Sequence, residues 1–158
     1  MSDTIVTTTD NKTGSVQVED VFATDPADLW EALTDPERLR RWIAEVEGDL
    51  RVGGIFRARF TSGWEGSGEV LVCDAPSRLV VETTEDGGAP TTVEARLQAV
   101  ATGTRLVIEE RGIAAGQVAA YRIGWQVHVE DLGRYLRDQP IADFAARWRE
   151  LAEEPADA

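Results

Sequence analysis

The apolar residues of this 158-residue chain recur with a period of two from about residue 50 to residue 111, and this period constrains the fold most. The stretch "GGIFRARF" places Phe56, Ala58 and Phe60 on one face of an extended segment and two arginines on the other. Similar alternation follows in "EVLVCD", "RLVVET", "TVEARLQAV" and "RLVIEERG". We expect turns at "TSGWEGSG", "APS", "EDGGAP" and "ATGT". The pattern predicts a long antiparallel sheet with one wet and one dry face.

Two helix-start motifs precede this sheet, directly after a first predicted strand in "SVQVEDVFAT". Asp25-Pro26 and Asp35-Pro36 each place an acidic N-cap residue before a proline at the first helical position, where the missing N–H costs nothing. The sequence therefore predicts two short helices after the first strand. Residues 1–14 are polar, and we expect them to form a flexible N-terminal segment.

A long helix is predicted from about Gly116 to Arg137, and it supplies a cover for the dry face of the sheet. Its apolar stripe has the spacing of three or four residues that is typical of an amphipathic helix. The stripe consists of Val118, Tyr121, Trp125, His128 and Leu132.

A second amphipathic segment, "PIADFAARWREL", follows the long helix. Its apolar residues align on one face: Ile141, Phe144, Trp148 and Leu151. This stripe must be buried either by capping the domain or by a dimer contact, and we favour the dimer contact. We therefore divide the chain into a flexible segment over residues 1–14, a domain over residues 15–138, and an extra helix and tail over residues 139–158.

The formal net charge of −13 restricts the partners of the protein. Nucleic acids and anionic membranes require a basic surface, so we expect neither as a partner. Cys73 is the single cysteine, which excludes an intramolecular disulfide. The chain has no apolar run near the ~20 residues of a membrane span and no basic start typical of a signal peptide, so we expect a cytoplasmic protein.

Five stretches of the chain carry a family resemblance: "VFATDPADLWEALTDPERLRRW", "VGGIFRARF", "GEVLVCDAPSRLV", "GTRLVIEERGI" and "GWQVHVEDLGRYL". In this order, and over about residues 16–137, they resemble the SRPBCC (START-like) superfamily, and within it the heat-shock-protein-90 ATPase activator homologue-like group. The resemblance implies an α+β helix-grip fold, in which a curved antiparallel sheet wraps around a long C-terminal helix and two short helices follow the first strand.

The resemblance also implies a class of function. Members of the superfamily enclose a hydrophobic cavity between sheet and helix. They bind lipids, polyketides, plant hormones or quinones, and some catalyse cyclisation or dehydration. The chaperone-activating role belongs to larger relatives with a further N-terminal domain, for which we expect no room in 158 residues, so that role is not carried over.

The residues themselves offer little catalytic chemistry. One cysteine and one histidine do not form a zinc motif, and the acidic pairs lack an EF-hand loop, so we expect no metal and no cofactor. No "GxSxG" elbow is present, and Cys73 lies in an apolar predicted strand, which indicates a structural thiol. The glycines at 53–54 and 66–68 are too few for a phosphate loop and indicate turns or bulges.

Candidate ligand-binding residues are those that the strand and helix phases direct towards the interior, together with one aromatic residue of a turn. They are Trp42, Phe56, Phe60, Trp64, Leu97, Ile108, Glu110, Tyr121, Trp125 and His128. Trp64 lies in the glycine-rich turn, where it either acts as a lid over the mouth of a cavity or packs back on the sheet.

Glu110 and His128 are the polar members of this set, and an unpaired buried charge is costly. In one interpretation they anchor a ligand or act as a general acid and base. In the other, which receives the larger weight, they pair with each other or with Tyr121, or lie at a rim in contact with water.

The leading hypothesis is a protein that binds a small apolar or aromatic molecule, with no chemistry that the sequence demonstrates. A first alternative is an enzyme like the polyketide cyclases and dehydratases that uses His128 or Glu110. A second is a chaperone-linked or stress accessory protein, with a homodimer formed through the last helix.

Overall fold

Eight strands form one antiparallel sheet in the computed structural model, which describes residues 4–9 and 12–154. The strands are β1 (Thr4–Thr9), β2 (Thr13–Phe22), β3 (Ala44–Gly48), β4 (Ile55–Phe60), β5 (Glu65–Asp74), β6 (Arg78–Glu85), β7 (Pro90–Val100) and β8 (Gly103–Ala114). Their order across the sheet is β1-β2-β8-β7-β6-β5-β4-β3. The chain therefore runs from β3 to β8 as a meander, of which β4 to β8 were predicted, and β2 pairs with β8 at its end.

The helices are α1 (Pro26–Thr34), α2 (Pro36–Leu39), α3 (Val118–Leu136) and α4 (Phe144–Glu153). Both predicted N-caps are present, because Asp25 accepts a hydrogen bond of 2.8 Å from the N–H of Asp28, and Asp35 accepts one of 3.0 Å from Glu37. The two short helices are thus confirmed. Among the described helices, none is long and apolar enough to cross a membrane.

The dry face of the sheet packs against α1 and α3. Leu106 and Ile108 of β8 point inward and are almost fully buried, and they join Leu29 of α1 and Leu132 of α3 in one apolar cluster. Among the strands, α3 lies chiefly against β2 and β1. The predicted α+β helix-grip fold is therefore confirmed, and α3 sits towards one side of the sheet.

The N-terminal segment differs from the prediction. Residues 4–9 form β1, which pairs with β2 and sets Ile5 opposite Val18, and β2 itself begins at Thr13. The sequence "TIVTTT" is rich in β-branched residues, which favour strands, but it does not alternate between apolar and polar, so the pattern predicted no strand. The two short helices follow the second strand rather than the first. The rest of the predicted flexible segment, residues 1–3, 10 and 11, lies outside the described residues.

A second strand that the sequence did not predict is β3. Val46 packs inward, whereas Glu45 and Glu47 lie opposite Arg59 and Arg57 of β4. Opposite charges on facing positions favour strand pairing. The acidic residues of this segment therefore support the edge of the sheet.

Two glycines expected in a turn lie within β5 instead. The turn between β4 and β5 covers residues 61–64, and Gly66 and Gly68 follow it in the strand. A Cβ at Gly66 would come within 2.6 Å of Cη2 of Trp64, and a Cβ at Gly68 would overlap the ring of Phe56. These glycines therefore make room on the inner face of the sheet for two aromatic rings.

The last helix, α4, packs on α3 of the same chain. Leu151 is buried, and the ring centroid of Phe144 lies 5.2 Å from that of His128. The guanidinium of Arg147 donates two hydrogen bonds to the carboxylate of Glu130, at 2.9 and 3.0 Å. The apolar stripe of α4 is thus partly covered within the chain, since Leu151 is buried and Ile141, Phe144 and Trp148 are half-buried, and the dimer contact stays a prediction. The division of the chain at residue 138 stays a prediction.

Replacing Arg147 with alanine should loosen α4. Burial alone would raise the pKa of Glu130, but the hydrogen bonds and charge of Arg147 hold it below its ordinary value. Without Arg147 this largely buried carboxylate loses its bidentate partner, and we expect a loss of about 1–3 kcal/mol in the free energy of unfolding. Urea denaturation at pH 7 measures the loss. Arg149→Ala, at an exposed position of the same helix, is the control, and equal losses for both variants would contradict the role given to Arg147.

Candidate ligand-binding cavity

A cavity of about 350 Å³ lies between the inner face of the sheet and helices α1, α3 and α4. The strands and their turns contribute Ala44, Val46, Leu50, Phe56, Ala58, Phe60, Ser62, Trp64, Val70, Leu79, Val81, Thr83, Val93 and Glu110. The helices and their flanking turns contribute Leu33, Thr34, Leu39, Ile43, Ala120, Tyr121, Gly124, Trp125, His128, Phe144 and Trp148. The wall is therefore mostly apolar and contains aromatic rings from both layers of the fold.

The pleat of the strands determines which residues reach the cavity. Phe56, Ala58 and Phe60 share the inner face of β4 because side chains alternate along a strand, as their spacing predicted. Trp64 follows the turn and meets Phe60 edge to face, with 5.2 Å between the ring centroids. The ring thus packs on the sheet and forms part of the cavity wall, and its role as a lid stays a prediction.

Glu110 projects from β8 into the cavity and is 6% exposed. Its Oε2 accepts a hydrogen bond of 2.7 Å from the hydroxyl of Thr91, and its Oε1 accepts one of 2.7 Å from the indole N–H of Trp125. Burial raises the pKa of Glu110, and the charge of Glu85 adds to this, while the two hydrogen bonds oppose it. The result is a buried carboxyl group held in a fixed orientation by neutral donors.

His128 lies one turn further along α3 than Trp125 and is 5% exposed. Its ring is surrounded by aromatic rings, with centroids 5.7 Å from Phe60, 5.7 Å from Trp125 and 5.2 Å from Phe144. Burial lowers the pKa of His128 to about 3, so the ring is neutral near pH 7. Its Nδ1 is buried and has no hydrogen-bond partner among the residues that the structure describes.

The predicted pairing of Glu110 with His128 is absent. Trp125 lies between them, since its indole N–H binds the carboxylate of Glu110 while its ring meets the edge of His128. Tyr121 lines the same end of the cavity, and burial, followed by the charges of Glu110 and Glu85, raises its pKa. Both polar candidates therefore reach the cavity wall, but they do so separately.

Seven of the ten candidate residues line the cavity, and Trp42, Leu97 and Ile108 do not. Trp42 follows α2, is 1% exposed and donates its indole N–H to the carbonyl of Ala32 at 2.9 Å. Leu97 and Ile108 face inward as predicted, but they belong to the apolar cluster beneath α1 and α3. Strand phase identified the correct face and did not identify which part of that face is covered by a helix.

Phe144 and Trp148 are wall residues that the sequence assigned to the stripe of the last helix but not to the cavity. The amphipathic spacing of α4 indicated that these rings are buried, but it carried no information about the surface that buries them. Thr91, which orients Glu110, was also missed, because a threonine on a strand is common in any sheet.

No group of three or more His, Cys, Asp or Glu side chains within residues 4–9 and 12–154 could hold a metal ion. Cys73 is a half-buried free thiol in β5.

Residues 23–137 match the family model described as Activator of Hsp90 ATPase homolog 1-like protein. No curated protein matches the chain significantly. The structure is similar to CalU16 from Micromonospora echinospora, with a TM-score of 0.79 and 28% identity over 96% of this chain and 94% of CalU16. It is also similar to DynU16, a protein in the dynemicin biosynthetic locus, with a TM-score of 0.75 and 28% identity over 82% of this chain and 50% of DynU16. A third neighbour, MLL2253 from Mesorhizobium loti, has a TM-score of 0.71 and 26% identity over 78% of this chain and 97% of MLL2253.

His128 should make the stability of the protein depend on pH. Its pKa is about 3 in the folded protein, whereas an unfolded chain gives histidine its ordinary value near 6.5. Between these values the unfolded state binds the extra proton, so stability falls as the pH falls below about 6.5, by up to ~1.4 kcal/mol per pH unit. The ring of phenylalanine does not titrate. When the pH is lowered from 7 to 5, the free energy of unfolding of His128→Phe should therefore rise by about 2 kcal/mol relative to that of the wild type.

Urea unfolding of both proteins at pH 7 and pH 5 measures this gain. Because its pKa is raised, Glu110 makes the protein more stable as the pH falls, which is the opposite of the effect of His128. Glu110 is present in both proteins, so the difference in stability between them isolates the effect of His128. Parallel loss of stability in the two proteins would contradict a neutral, buried His128.

Proposed function

Because the chain belongs to the Activator of Hsp90 ATPase homolog 1-like family, within the SRPBCC superfamily, we propose that its cavity binds a small, mostly apolar molecule with aromatic character. One observation carries the proposal, which is the cavity of about 350 Å³ with an apolar and aromatic wall. Small-molecule sites in proteins have volumes of about 300–1,000 Å³ and combine an apolar wall with a few polar groups.

Packing supports the proposal. Protein interiors are otherwise close-packed, and wall atoms that face empty space lose dispersion contacts. In this protein the rings of Phe56, Phe60 and Trp64 face that space, and Gly66 and Gly68 provide room for two of them. A bound planar molecule would restore the lost contacts by stacking on these rings or meeting them edge to face.

The position of α4 indicates where ligand selectivity arises. The family match ends at residue 137, and α4 begins at Phe144, so the helix that contributes Phe144 and Trp148 lies beyond the matched residues. The other residues of the cavity wall all lie within the matched residues. We therefore propose that Phe144 and Trp148 of α4 adapt the cavity to its ligand.

One neighbour adds support for a small-molecule role. DynU16 is a protein in the dynemicin biosynthetic locus, which connects a protein of similar fold with a biosynthetic locus. We extend to this chain only the class of ligand, an organic molecule of limited size.

An enzymatic role, by analogy with cyclases and dehydratases, has one observation in its favour, the raised pKa of the Glu110 carboxyl at the cavity wall. Against it, His128 is neutral and does not pair with Glu110, so the two polar groups do not form an acid–base pair. Binding is therefore the function that the geometry favours. An accessory role in a chaperone or stress response has no comparable support, and homodimerisation and a cytoplasmic location stay predictions.

A neutral aromatic probe, 1-naphthylmethanol, should bind in the cavity and stabilise the fold. Binding to the folded state alone adds about 2.7 kcal/mol to the free energy of unfolding at a ligand concentration of 100 Kd. Isothermal titration gives the Kd, and thermal unfolding with increasing probe gives the stabilisation. No binding at millimolar probe would contradict the proposal.

Filling the cavity at Gly124 should abolish that binding. A Cβ at Gly124 has one neighbour within 4 Å, Cζ of Phe144 at 3.8 Å, so alanine fits at this position. The longer side chain of leucine would extend into the cavity, which Gly124 lines. Alanine and leucine each stabilise a helix more than glycine does, by up to about 1 kcal/mol, so both variants should fold. We expect Gly124→Leu to lose probe binding and Gly124→Ala to retain it, and equal affinities would indicate that the probe binds elsewhere.

A further inference from the structure

The described part of the cavity wall carries an acidic group but no positive charge. Among the described residues that line it, Glu110 is the only carboxylic acid, and none is a lysine or an arginine. His128, the only basic group at the wall, is neutral near pH 7 because it is buried. A ligand in this cavity therefore meets one acidic group and no cation.

Two other buried acids of the protein, Glu94 and Asp131, pair with arginine, and Glu110 differs from both. Glu94, on the outer face of β7, lies among three guanidinium groups: Arg78 at 2.8 Å, Arg111 at 3.1 Å and Arg96 at 3.7 Å. Asp131 on α3 accepts a hydrogen bond of 2.7 Å from Arg134. The hydrogen-bond donors to Glu110 are instead the neutral groups of Thr91 and Trp125.

The hydrogen bonds to Glu110 leave it able to bind a further group. A carboxylate offers about four lone-pair sites, and Thr91 and Trp125 occupy one on each oxygen. Both donors hold the carboxylate in place but contribute no positive charge. A ligand donor with a positive charge would supply the missing counter-ion and use the free lone pairs.

The surroundings of Glu110 all favour a cation in the same place. Glu85 of β6 adds negative charge, and among the described residues that line the cavity the other titratable groups, Tyr121 and His128 of α3, are neutral at pH 7. The rings of Tyr121 and Trp125 line the same end of the cavity, and aromatic faces attract cations.

We infer that the cavity selects hydrophobic amines, in which an ammonium group pairs with the carboxylate of Glu110 and the apolar body fills the aromatic part of the cavity. The inference rests on the proposed ligand-binding function and deepens it by naming a chemical class. Anionic amphiphiles such as fatty acids are disfavoured, because their carboxylate would meet the charge of Glu110 without a cation to separate the two.

Amine binding should release protons. Burial raises the pKa of Glu110 in the empty cavity, whereas a bound ammonium ion favours the ionised form, so amine binding should lower this pKa and release protons wherever Glu110 is not yet fully ionised. The affinity for an amine should therefore rise with pH through the range in which Glu110 titrates, and the affinity for a neutral ligand should not.

Three probes of one shape test the inference by isothermal titration: 1-naphthylmethylamine as the cation, 1-naphthylmethanol as the neutral compound and 1-naphthoate as the anion. In the wild type at pH 7 we expect the amine to bind at least about tenfold more tightly than the alcohol, and the anion to bind most weakly. In Glu110→Gln the preference for the amine should fall to less than about threefold, with little change in affinity for the alcohol.

Glu109→Gln is the matched control, because it removes the same charge from the neighbouring residue of β8, which is paired with Arg111 away from the cavity. It should keep the preference for the amine. A rise with pH in the affinity of the wild type for the amine, set against the pH-independent affinity for the alcohol, tests the same pairing even if Glu110→Gln does not fold.

The outcomes separate the inference from the proposed function. If the alcohol binds and the amine binds no more tightly, or if the anion binds most tightly, the choice of amines is wrong and ligand binding stands. If none of the three probes binds, ligand binding itself is wrong. An amine preference that survives in Glu110→Gln would also overturn the role of Glu110.

Discussion

The structure depends on a mismatch of widths between its two layers. Eight strands spaced by about 4.8 Å span roughly 34 Å, whereas a helix with its side chains is only about 10–12 Å across. A single long helix therefore cannot cover the dry face, and α3 lies chiefly against β2 and β1. The short helices close part of the remainder and α4 borders the rest, so the cavity is the part of the inner face that no helix fills.

The same mismatch explains how the protein maintains a buried acid without a counter-ion. At positions covered by packed side chains, a carboxylate needs a partner of opposite charge, as Glu94 has in Arg78 and Arg111. Glu110 faces open space instead, and its two neutral donors satisfy part of its hydrogen-bonding capacity. The remaining capacity is directed into the cavity, where a ligand reaches it more easily than any side chain of the sheet does.

Much of this arrangement was predictable from the sequence, because the period of two fixed the inward face of each central strand and helical phase fixed that of α3. Phe56, Phe60 and Glu110 were assigned to the correct face in this way. Periodicity contains no information about distance along a strand, so Leu97 and Ile108 could not be distinguished from true wall residues. The roles of β1 and α4 depend on which surface they meet, and that is a property of the assembled fold.

Glu110 and His128 were equivalent in the sequence as polar residues on an inward face, and the folded protein separates them. His128 is enclosed by the rings of Phe60, Trp125 and Phe144, and burial keeps it neutral, so it contributes an aromatic surface rather than a charge. Glu110 accepts hydrogen bonds at both oxygens and is therefore the residue that we propose as the polar anchor. The difference arises from hydrogen bonding, since both are buried almost equally. An acid held by donors can ionise when a cation arrives, whereas a histidine without a partner for Nδ1 has nothing to stabilise its charge.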